Sequence, residues 1–311
     1  GKHITPMEVA LGSDVSVCSP LWTGSAAMET ALAGVPTLML DRDDWEESEA
    51  SLTLKQLRMI LGGENAVVSA IDDHDLEKYS RQIILNEIGP EGQEKIKRVS
   101  ILVIGAGGLG SSVIQYLSAA GVGKIGIVDD DKVELSNLNR QLIYRENDLG
   151  KSKVDAAKNY ISKSNPSIEI ETYKIRIDEK NLPDIIDDYD LIADCSDNIK
   201  TRLSINDTCI KYKKTWVMAA VGGFFGQIAS FQSIKNNTSN STYRDLMKHK
   251  IFDEAGCDNI GTIGSVVGAV GGIQATEIVK LIIGNKENLV NKILIFDFIT
   301  FQSKTLKINS I

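Results

Sequence analysis

From residue 75 onward, short apolar runs alternate with segments in which apolar residues recur at spacings of three and four. Runs of the first kind are typical of buried strands, and the second spacing is typical of amphipathic helices. After a first helix at 75, the pattern predicts strand 99–104, helix 109–120, strand 124–129, a polar loop and helix over 134–163, strand 168–174, helix 179–187, strand 190–194, helix 198–212, strands 215–220 and 226–232, helix 261–284, and final strands in KILIFDF and KTLKIN. This order favours an α/β fold, with a doubly wound, mainly parallel sheet and an antiparallel C-terminal extension.

The first seventy residues carry a separate pattern. Residues 14–40 predict a short strand–helix–strand (βαβ) fragment, and an acidic stretch follows it over 41–52. A glycine pair then breaks the chain, and the acidic DDHD at 72–75 is typical of a helix start. The sequence therefore predicts a boundary near residue 70, with an N-terminal appendage or truncated fusion partner over 1–70 and a main domain over 75–311.

One long polar stretch interrupts the main domain, at about 235–260. It shows no core pattern, so we predict a loop. Loops of this length inside a compact domain are usually functional or mobile.

Composition narrows the classes of partner. The chain has 34 Lys and Arg against 42 Asp and Glu, a formal net charge of −8, and no arginine-rich stripe, which argues against nucleic acid as the main partner. Its longest apolar runs are short and rich in glycine, so no membrane span is predicted. The four cysteines (Cys18, Cys195, Cys209 and Cys257) form no CxxC pair. They predict reduced thiols in a cytoplasmic protein rather than a disulfide framework or a four-cysteine zinc site.

The glycine loop GAGGLG at 105–110 directly follows the apolar run ILVI. Glycines at such a strand-to-helix junction allow a tight turn and bring backbone N–H groups up to a phosphate, as in Rossmann-like folds. Gly105, Gly107 and Gly110 have the spacing of this fingerprint, and Asp129 at the end of the next strand is placed to accept hydrogen bonds from a ribose. Dehydrogenases, flavoproteins and adenylating enzymes all use this loop, so it predicts a nucleotide site without fixing the chemistry.

Three groups of polar residues follow the loop, in SNLNRQ (136–141), GKSK (150–153) and DCSDN (194–198). Cations near such a loop suit a triphosphate, whose charges need neutralising, and a carboxylate at the carboxyl end of a strand suits Mg²⁺. Hydride transfer needs neither, so a nicotinamide-dependent oxidoreductase is disfavoured. The candidate ligands are Asn137, Arg140, Gln141, Lys153, Asp194 and Asp197.

With these motifs, residues 75–311 resemble the MoeB/ThiF/HesA family of ubiquitin-activating-type adenylyltransferases. The shared motifs are YSRQI (79–83), GAGGLG, the acid in IVDDD, SNLNRQ, GKSKVD, DCSDN and the helix segment VVGAVGGIQATEIVK. The resemblance implies ATP and Mg²⁺, and adenylation of the C-terminal glycine of a small ubiquitin-like carrier protein with a Gly-Gly tail. In the family such carriers then accept sulfur for molybdopterin or thiamine pathways, which makes a sulfurtransferase a further candidate partner.

The resemblance also implies roles for single residues. Arg140 and Lys153 would stabilise the leaving pyrophosphate, and Asp197 would carry Mg²⁺, so that fixed charges lower the barrier without a protein nucleophile. Arg81 resembles an arginine that reaches the partner's ATP across a dimer interface, which implies a homodimer. Nucleotide contacts fall to Gly105, Gly107, Gly108, Gly110, Asp129, Asn137, Arg140, Gln141 and Lys153.

Cys257 lies seventeen residues before Gln274, which is the spacing of the family's crossover-loop cysteine. That position implies a thioester or persulfide with the carrier tail, because a thiolate can displace AMP from an acyl adenylate. Nearby acids disfavour the thiolate, so a bystander cysteine stays an open alternative. The CxxC pairs that often hold zinc in the family are missing, so zinc is not expected. The segment CDNIGTIGSVVG departs from the family's usual pattern, so the identity of the acyl substrate stays open.

Other functions stay open beside the carrier adenylyltransferase. A relative of the same fold could activate a peptide carboxylate or a modified tRNA adenosine, or serve as a non-catalytic dimeric adaptor. The intact Arg81, Arg140, Lys153 and Asp197 argue against the adaptor. Residues 14–42 also show a weak similarity to the donor half of nucleotide-sugar glycosyltransferases, with Glu29 at the position of a ribose-binding glutamate. A fragment of this size cannot bind a sugar nucleotide unaided.

Overall fold

The computed structural model describes residues 71–233, 240–248 and 261–309, together with the backbone of two short strands before them. The chain divides into two compact units, Gly1–Leu85 and Asn86–Ile311. The domain boundary near residue 70 stays a prediction.

The first unit contains two parallel strands and two short helices in its described part. β1 (Ser16–Cys18) pairs in parallel with β2 (Thr37–Met39), as a βαβ fragment requires. The helix predicted between these strands, and Glu29 within it, lie outside the described residues. α1 (Asp73–Lys78) begins where the Asp72 carboxylate accepts a hydrogen bond from the Asp75 N–H at 2.8 Å, and α2 (Ser80–Ile83) follows it. Four buried side chains form a small cluster, those of Ile71, Leu76, Tyr79 and Ile83.

The second unit begins with alternating helices and strands and ends with two antiparallel hairpins, which two described helices separate. Its elements are α3 (Gly89–Arg98), β3 (Ser100–Ile104), α4 (Gly108–Ala120), β4 (Lys124–Val128), short 3₁₀ turns at Leu135–Asn137 and Glu146–Asp148, α5 (Lys153–Ser164), β5 (Glu169–Tyr173), α6 (Pro183–Ile186), β6 (Leu191–Asp194), α7 (Ile199–Tyr212), β7 (Thr215–Gly222), β8 (Phe225–Gln232), α8 (Tyr243–Lys248), α9 (Gly264–Ile283), β9 (Lys292–Asp297) and β10 (Gln302–Lys307).

The helix predicted over 179–187 is shorter than expected. The Asp178 carboxylate accepts a hydrogen bond from the Asn181 N–H at 3.0 Å, so the chain makes a turn before α6. Pro183 then begins the helix, where its missing N–H costs nothing.

The second unit forms one eight-stranded sheet in the order β10-β9-β8-β7-β6-β3-β4-β5. Strands β5, β4, β3, β6 and β7 run parallel, and β8, β9 and β10 extend the sheet in antiparallel pairs. The predicted fold class is therefore confirmed. The chain leaves β3 for one side of the sheet and β6 for the other, and neighbouring strands with this property open a crevice at their carboxyl ends.

The side chains of β3 point alternately into two hydrophobic layers, one on each face of the sheet. Ile101 and Val103 of β3 face a layer that includes α4 and α9, whereas Leu102 and Ile104 face a layer that includes α7 and α8. Because successive side chains of a strand point to opposite faces, an unbroken apolar run fits a strand that is covered on both sides.

The described part of the polar stretch over 235–260, residues 240–248, contributes to the core, although the sequence predicted a loop without a core pattern. It contains α8, where Tyr243 and Leu246 are buried against the sheet. Trp216 and Phe231 stack at 4.6 Å between ring centroids, and Tyr243 contacts both rings edge-on. These apolar residues gave no periodic signal, because α8 is less than two turns long.

By length and composition, α9 is the one helix of the described residues that could cross a membrane, with a mean hydropathy of 1.6 over its most apolar window. Its side chains instead pack against the sheet and α4. Two polar residues, Gln274 and Glu277, are buried among them. Gln274 donates a hydrogen bond to the Asp194 carbonyl oxygen, and Glu277 accepts one from the Ser230 hydroxyl. The arrangement is that of a core helix.

Candidate nucleotide-binding site

The glycine loop joins β3 to α4 so tightly that three of its glycines leave no room for a side chain. Gly105 has a φ of +95°, and a Cβ there would lie 2.8 Å from the Cys195 carbonyl oxygen. A Cβ on Gly110 would lie 1.9 Å from the Gly105 carbonyl oxygen, and one on Gly108 would lie 2.7 Å from a methyl group of Val267. The first neighbour of a Cβ on Gly107 is 3.9 Å away, so the backbone of Gly107 is open to the adjoining cavity. The loop thus presents bare backbone at the N-terminus of α4, as predicted.

Asp129 supports the glycine loop directly. Its carboxylate accepts hydrogen bonds from the backbone N–H of Ala106 at 2.7 Å and from that of Asp131 at 2.9 Å. Burial raises the pKa of Asp129, and the positive charge of Lys153 opposes that rise. Each carboxylate oxygen has a second lone pair, so Asp129 can brace the loop and still accept a ribose hydroxyl.

Lys153 is held beside this acid although it begins a helix. Its Nζ lies 2.7 Å from a carboxylate oxygen of Asp131 and 4.0 Å from Asp129, and its side chain is only 7% exposed. A buried ammonium needs such partners, and the two carboxylates fix it at the edge of the cavity. The site therefore contains a cation that is positioned before any ligand arrives.

The segment after β4 brings three further predicted residues to the cavity. Arg140 donates to the Ser136 carbonyl oxygen at 2.8 Å, which curls its guanidinium over the 3₁₀ turn. The side-chain oxygen of Asn137 accepts from the Glu134 N–H at 3.0 Å, so Asn137 shapes the turn as well as lining the cavity. Gln141 is buried, and its Oε1 has no hydrogen-bond partner among the described residues. A ligand donor would satisfy this atom.

The turn after β6 depends on Arg202, a residue that the sequence analysis did not identify. Asp194 is fully buried, and its carboxylate accepts from the Ser196 hydroxyl at 2.6 Å and from the Arg202 Nε at 3.1 Å. Arg202 also donates to the carbonyl oxygens of Ser196 at 2.6 Å and Ala219 at 3.0 Å. Burial raises the pKa of Asp194, and the Arg202 charge opposes that rise.

Helical spacing could have revealed Arg202. It shares a buried face of α7 with Ile205 and Cys209, at spacings of three and four residues. A guanidinium on such a face requires a buried acid, and Asp194 ends the strand just before α7.

Asp197 is the first exposed residue of that turn and lies where two cavities meet. The larger cavity, of about 580 Å³, extends from the glycine loop to Arg140, Val221 and Thr262. The smaller, of about 220 Å³, extends along Asp129, Asp130 and Ile177. Six residues line both cavities: Gly107, Asp131, Lys153, Cys195, Ser196 and Asp197.

The structure thus brings most of the predicted site residues together at the carboxyl edge of the sheet. Asp194 lines neither cavity, and its carboxylate instead supports the turn after β6. Arg81 belongs to the first unit. Cys257 lies outside the described residues, so its role stays a prediction. Cys195 and Cys209 are free and buried.

Comparison with protein families tests the resemblance that the sequence motifs predicted. The model of the ThiF family matches residues 79–310, which is most of the chain. This chain belongs to the ThiF family. The predicted resemblance is confirmed over almost the whole of the second unit.

Curated relatives of this ThiF-family chain include two kinds of adenylyltransferase. It is 40% identical over 232 residues to the adenylyltransferase and sulfurtransferase MOCS3 of Culex quinquefasciatus, covering 74% of this chain and 52% of that protein. It is 38% identical over 240 residues to the sulfur carrier protein adenylyltransferase of Thermus thermophilus, covering 76% of this chain and 89% of that one. The matched part therefore spans about half the length of the MOCS3 relative.

Among solved structures, the ThiF-family chain resembles PaaA with a TM-score of 0.69 and 25% identity, over 82% of this chain and 80% of PaaA. This similarity agrees with the mixed sheet described above.

Proposed function

We propose that this chain adenylates the C-terminal glycine of a small ubiquitin-like sulfur-carrier protein, using ATP. The observation that carries the proposal is the grouping of a glycine loop, a prepositioned Lys153, Arg140 and Asp197 around one cavity. The names of the MOCS3 and sulfur carrier protein adenylyltransferase relatives support the choice of substrate.

ATP fits the chemistry of the lining residues. The two cavities lie within or near the volume range of small-molecule sites and join at the glycine loop. Asp129 would accept the ribose hydroxyls in the smaller cavity, and the open backbone of Gly107 would meet the phosphates at the start of α4. The unsatisfied Gln141 Oε1 would accept a hydrogen bond from a donor on the bound substrates.

Mg²⁺ also fits, because it prefers oxygen ligands and is commonly held by one or two carboxylates together with substrate phosphates. Asp197 is exposed at the junction of the cavities and would supply the carboxylate. When bound, the ion would neutralise charge on the phosphates and so favour pyrophosphate departure.

The residues of the chain would act by position and charge. A carboxylate oxygen of the carrier tail attacks the α-phosphorus, a P–O bond to the β-phosphate breaks, and pyrophosphate leaves with the bond electrons. Lys153 and Arg140 would stabilise the charge that grows on pyrophosphate, and neither has to transfer a proton. Because Lys153 is already fixed by two acids, little reorganisation accompanies that charge development.

The proposal includes a homodimer, in which Arg81 serves the partner's site, and a cytoplasmic location. Exposed apolar side chains at Tyr116, Leu135 and Leu142 suit burial against a second copy. A mixed dimer of Arg81→Ala and Asp197→Ala chains should recover one working site. Activity no higher than that of either single variant would refute the cross-subunit role.

Pyrophosphate–ATP exchange tests the function as a whole. Exchange should require a carrier that ends in Gly-Gly and should be absent with the same carrier shortened by its last glycine. Exchange that proceeds equally with the shortened carrier would contradict the proposed substrate. Exchange that occurs only with a peptide or a tRNA would identify that molecule, in place of the carrier, as the substrate.

A further inference from the structure

Gln274 is a polar residue at an apolar position of α9. Its side chain is fully buried, and it belongs to the face of the helix that packs on the sheet. Burying an amide costs free energy unless its hydrogen bonds are satisfied, so a glutamine here must have specific partners. Those partners show what the residue does.

The amide of Gln274 binds the end of β6 and the neighbouring strand. Its Nε2 donates to the Asp194 carbonyl oxygen at 2.8 Å and to the Val217 carbonyl oxygen at 3.0 Å. Its Oε1 lies 3.5 Å from the Cys195 thiol, which donates to it. Asp194 is the last residue of β6, so Gln274 fixes the point at which the chain leaves the sheet.

The same turn is held from the opposite face of the sheet by Arg202. The guanidinium binds the Asp194 carboxylate and the Ser196 carbonyl oxygen, whereas Gln274 binds the Asp194 main chain. Gly105 closes a third side, because a Cβ there would lie 2.8 Å from the Cys195 carbonyl oxygen and no side chain fits between them. Residues 194–196 are therefore restrained on three sides, and the cavity lies on the remaining one.

Asp197 is the next residue of the chain after this restrained turn. Its one side-chain hydrogen bond in the described structure, from the Asn198 amide at 3.4 Å, is long and exposed. The turn before Asp197 consequently sets the position of its main chain, from which the carboxylate extends toward the cavities.

We propose that Gln274 is a positioning residue for Asp197, which places this carboxylate where it can meet Mg²⁺ on the bound nucleotide. The inference rests on the proposed function, because it takes Asp197 as the metal ligand. It assigns to α9 a supporting part in metal binding.

Two variants of α9 separate positioning from stability. Gln274→Met keeps the length of the side chain and removes both donors. Glu277→Met removes the next buried polar group of the same helix, which binds the Ser230 hydroxyl and the Leu289 N–H away from both cavities. Both variants should lower the urea midpoint of unfolding, and only Gln274→Met should change the response to metal.

The decisive measurement is the metal enhancement of nucleotide binding. Calorimetry gives the Kd of AMPCPP, an ATP analogue that cannot be cleaved between the α and β phosphorus, in saturating Mg²⁺ and in EDTA. The Kd of Gln274→Met in EDTA should stay within about twofold of the wild type. Its Mg²⁺ enhancement should fall by about tenfold, while Glu277→Met keeps the wild-type enhancement.

Electron paramagnetic resonance of Mn²⁺ bound with AMPCPP supplies a readout that does not depend on turnover, and Gln274→Met should broaden or weaken the wild-type signal. If Gln274→Met fails to fold, Gln274→Glu keeps the volume, turns an oxygen toward the two carbonyl groups and should show the same loss. A folded variant with the full wild-type enhancement overturns the positioning role, as does an equal loss in Glu277→Met. A wild type without any metal enhancement refutes the proposed function itself, and the inference with it.

Discussion

Replacing Arg202 by methionine should destabilise the second unit far more than replacing an exposed arginine. The Arg202 and Asp194 side chains are 4% and 0% exposed, and within the described part of the chain the guanidinium makes three hydrogen bonds that methionine cannot replace. Removing one partner of a buried ion pair leaves the other charge uncompensated, which costs about 3–5 kcal/mol. We expect a loss of that size in the free energy of unfolding.

Arg244 provides the matched control on the same unit. It binds Asp207 through two hydrogen bonds, but these side chains are 55% and 50% exposed. Exposed pairs of this kind contribute about 0–1 kcal/mol, so Arg244→Met should change stability little. Urea unfolding followed by far-UV circular dichroism and tryptophan fluorescence measures both variants, because Trp216 is buried in the hydrophobic layer beside α7.

The effect of Arg202→Met should also depend on pH. Burial already raises the pKa of Asp194, and losing the guanidinium raises that pKa further. A carboxyl with a raised folded-state pKa binds more protons in the folded state than in the unfolded chain, so stability falls as pH rises through that range. The destabilisation should therefore be larger at pH 8 than at pH 5.5. A loss below about 1 kcal/mol, or one equal to that of Arg244→Met, would show that the buried Arg202–Asp194 pair does not carry this stability.

Three further predictions address the loop, the site and the far edge of the sheet. Gly110→Ala should lower stability by about 1–3 kcal/mol or more in urea unfolding, because its Cβ would overlap the Gly105 carbonyl oxygen, whereas Gly107→Ala should keep stability and weaken AMPCPP binding in calorimetry. Lys153→Gln should reduce the rate of pyrophosphate exchange by about 10²–10³-fold and weaken AMPCPP binding much less, and a proportionate loss of both would contradict a role in the transition state. Hydrogen bonds from Tyr173 and Lys124 lower the pKa of Glu171 to about 2 from its ordinary 4.5, so its stabilisation should be complete above pH 4.5 and lost as pH falls toward 2. The stability difference between wild type and Glu171→Gln should shrink over that range, and a difference that is constant with pH would show that ionisation is not its cause.

The parts of the site that form locally were predictable from the sequence. The glycine loop, Asp129 and Lys153 lie within fifty residues of one another, and each sits at the end of an element whose pattern is clear. Strand ends of a parallel sheet meet at one edge, so element order alone placed these residues together.

Residues that act through distant partners were harder to predict. Gln274 binds a carbonyl group eighty residues earlier in the chain, and nothing near it in the sequence indicates that partner. Tyr243 gave no signal because its helix is too short to show a period. The second hydrogen-bonding role of Asp129 was missed for another reason: the spacing suggested a ligand for ribose, whereas the brace to Ala106 depends on the turn geometry.

The order of the strands places the crevice by backbone topology, whatever side chains line it. β3 and β6 send their following helices to opposite faces, so an opening forms between them even if every lining residue is replaced. The segments that border the opening, 135–141 and 195–198, are short and carry little of the hydrophobic core. Substitutions in these two segments should therefore change what the crevice binds while the sheet stays intact, so effects on ligand binding can be measured there apart from effects on the fold.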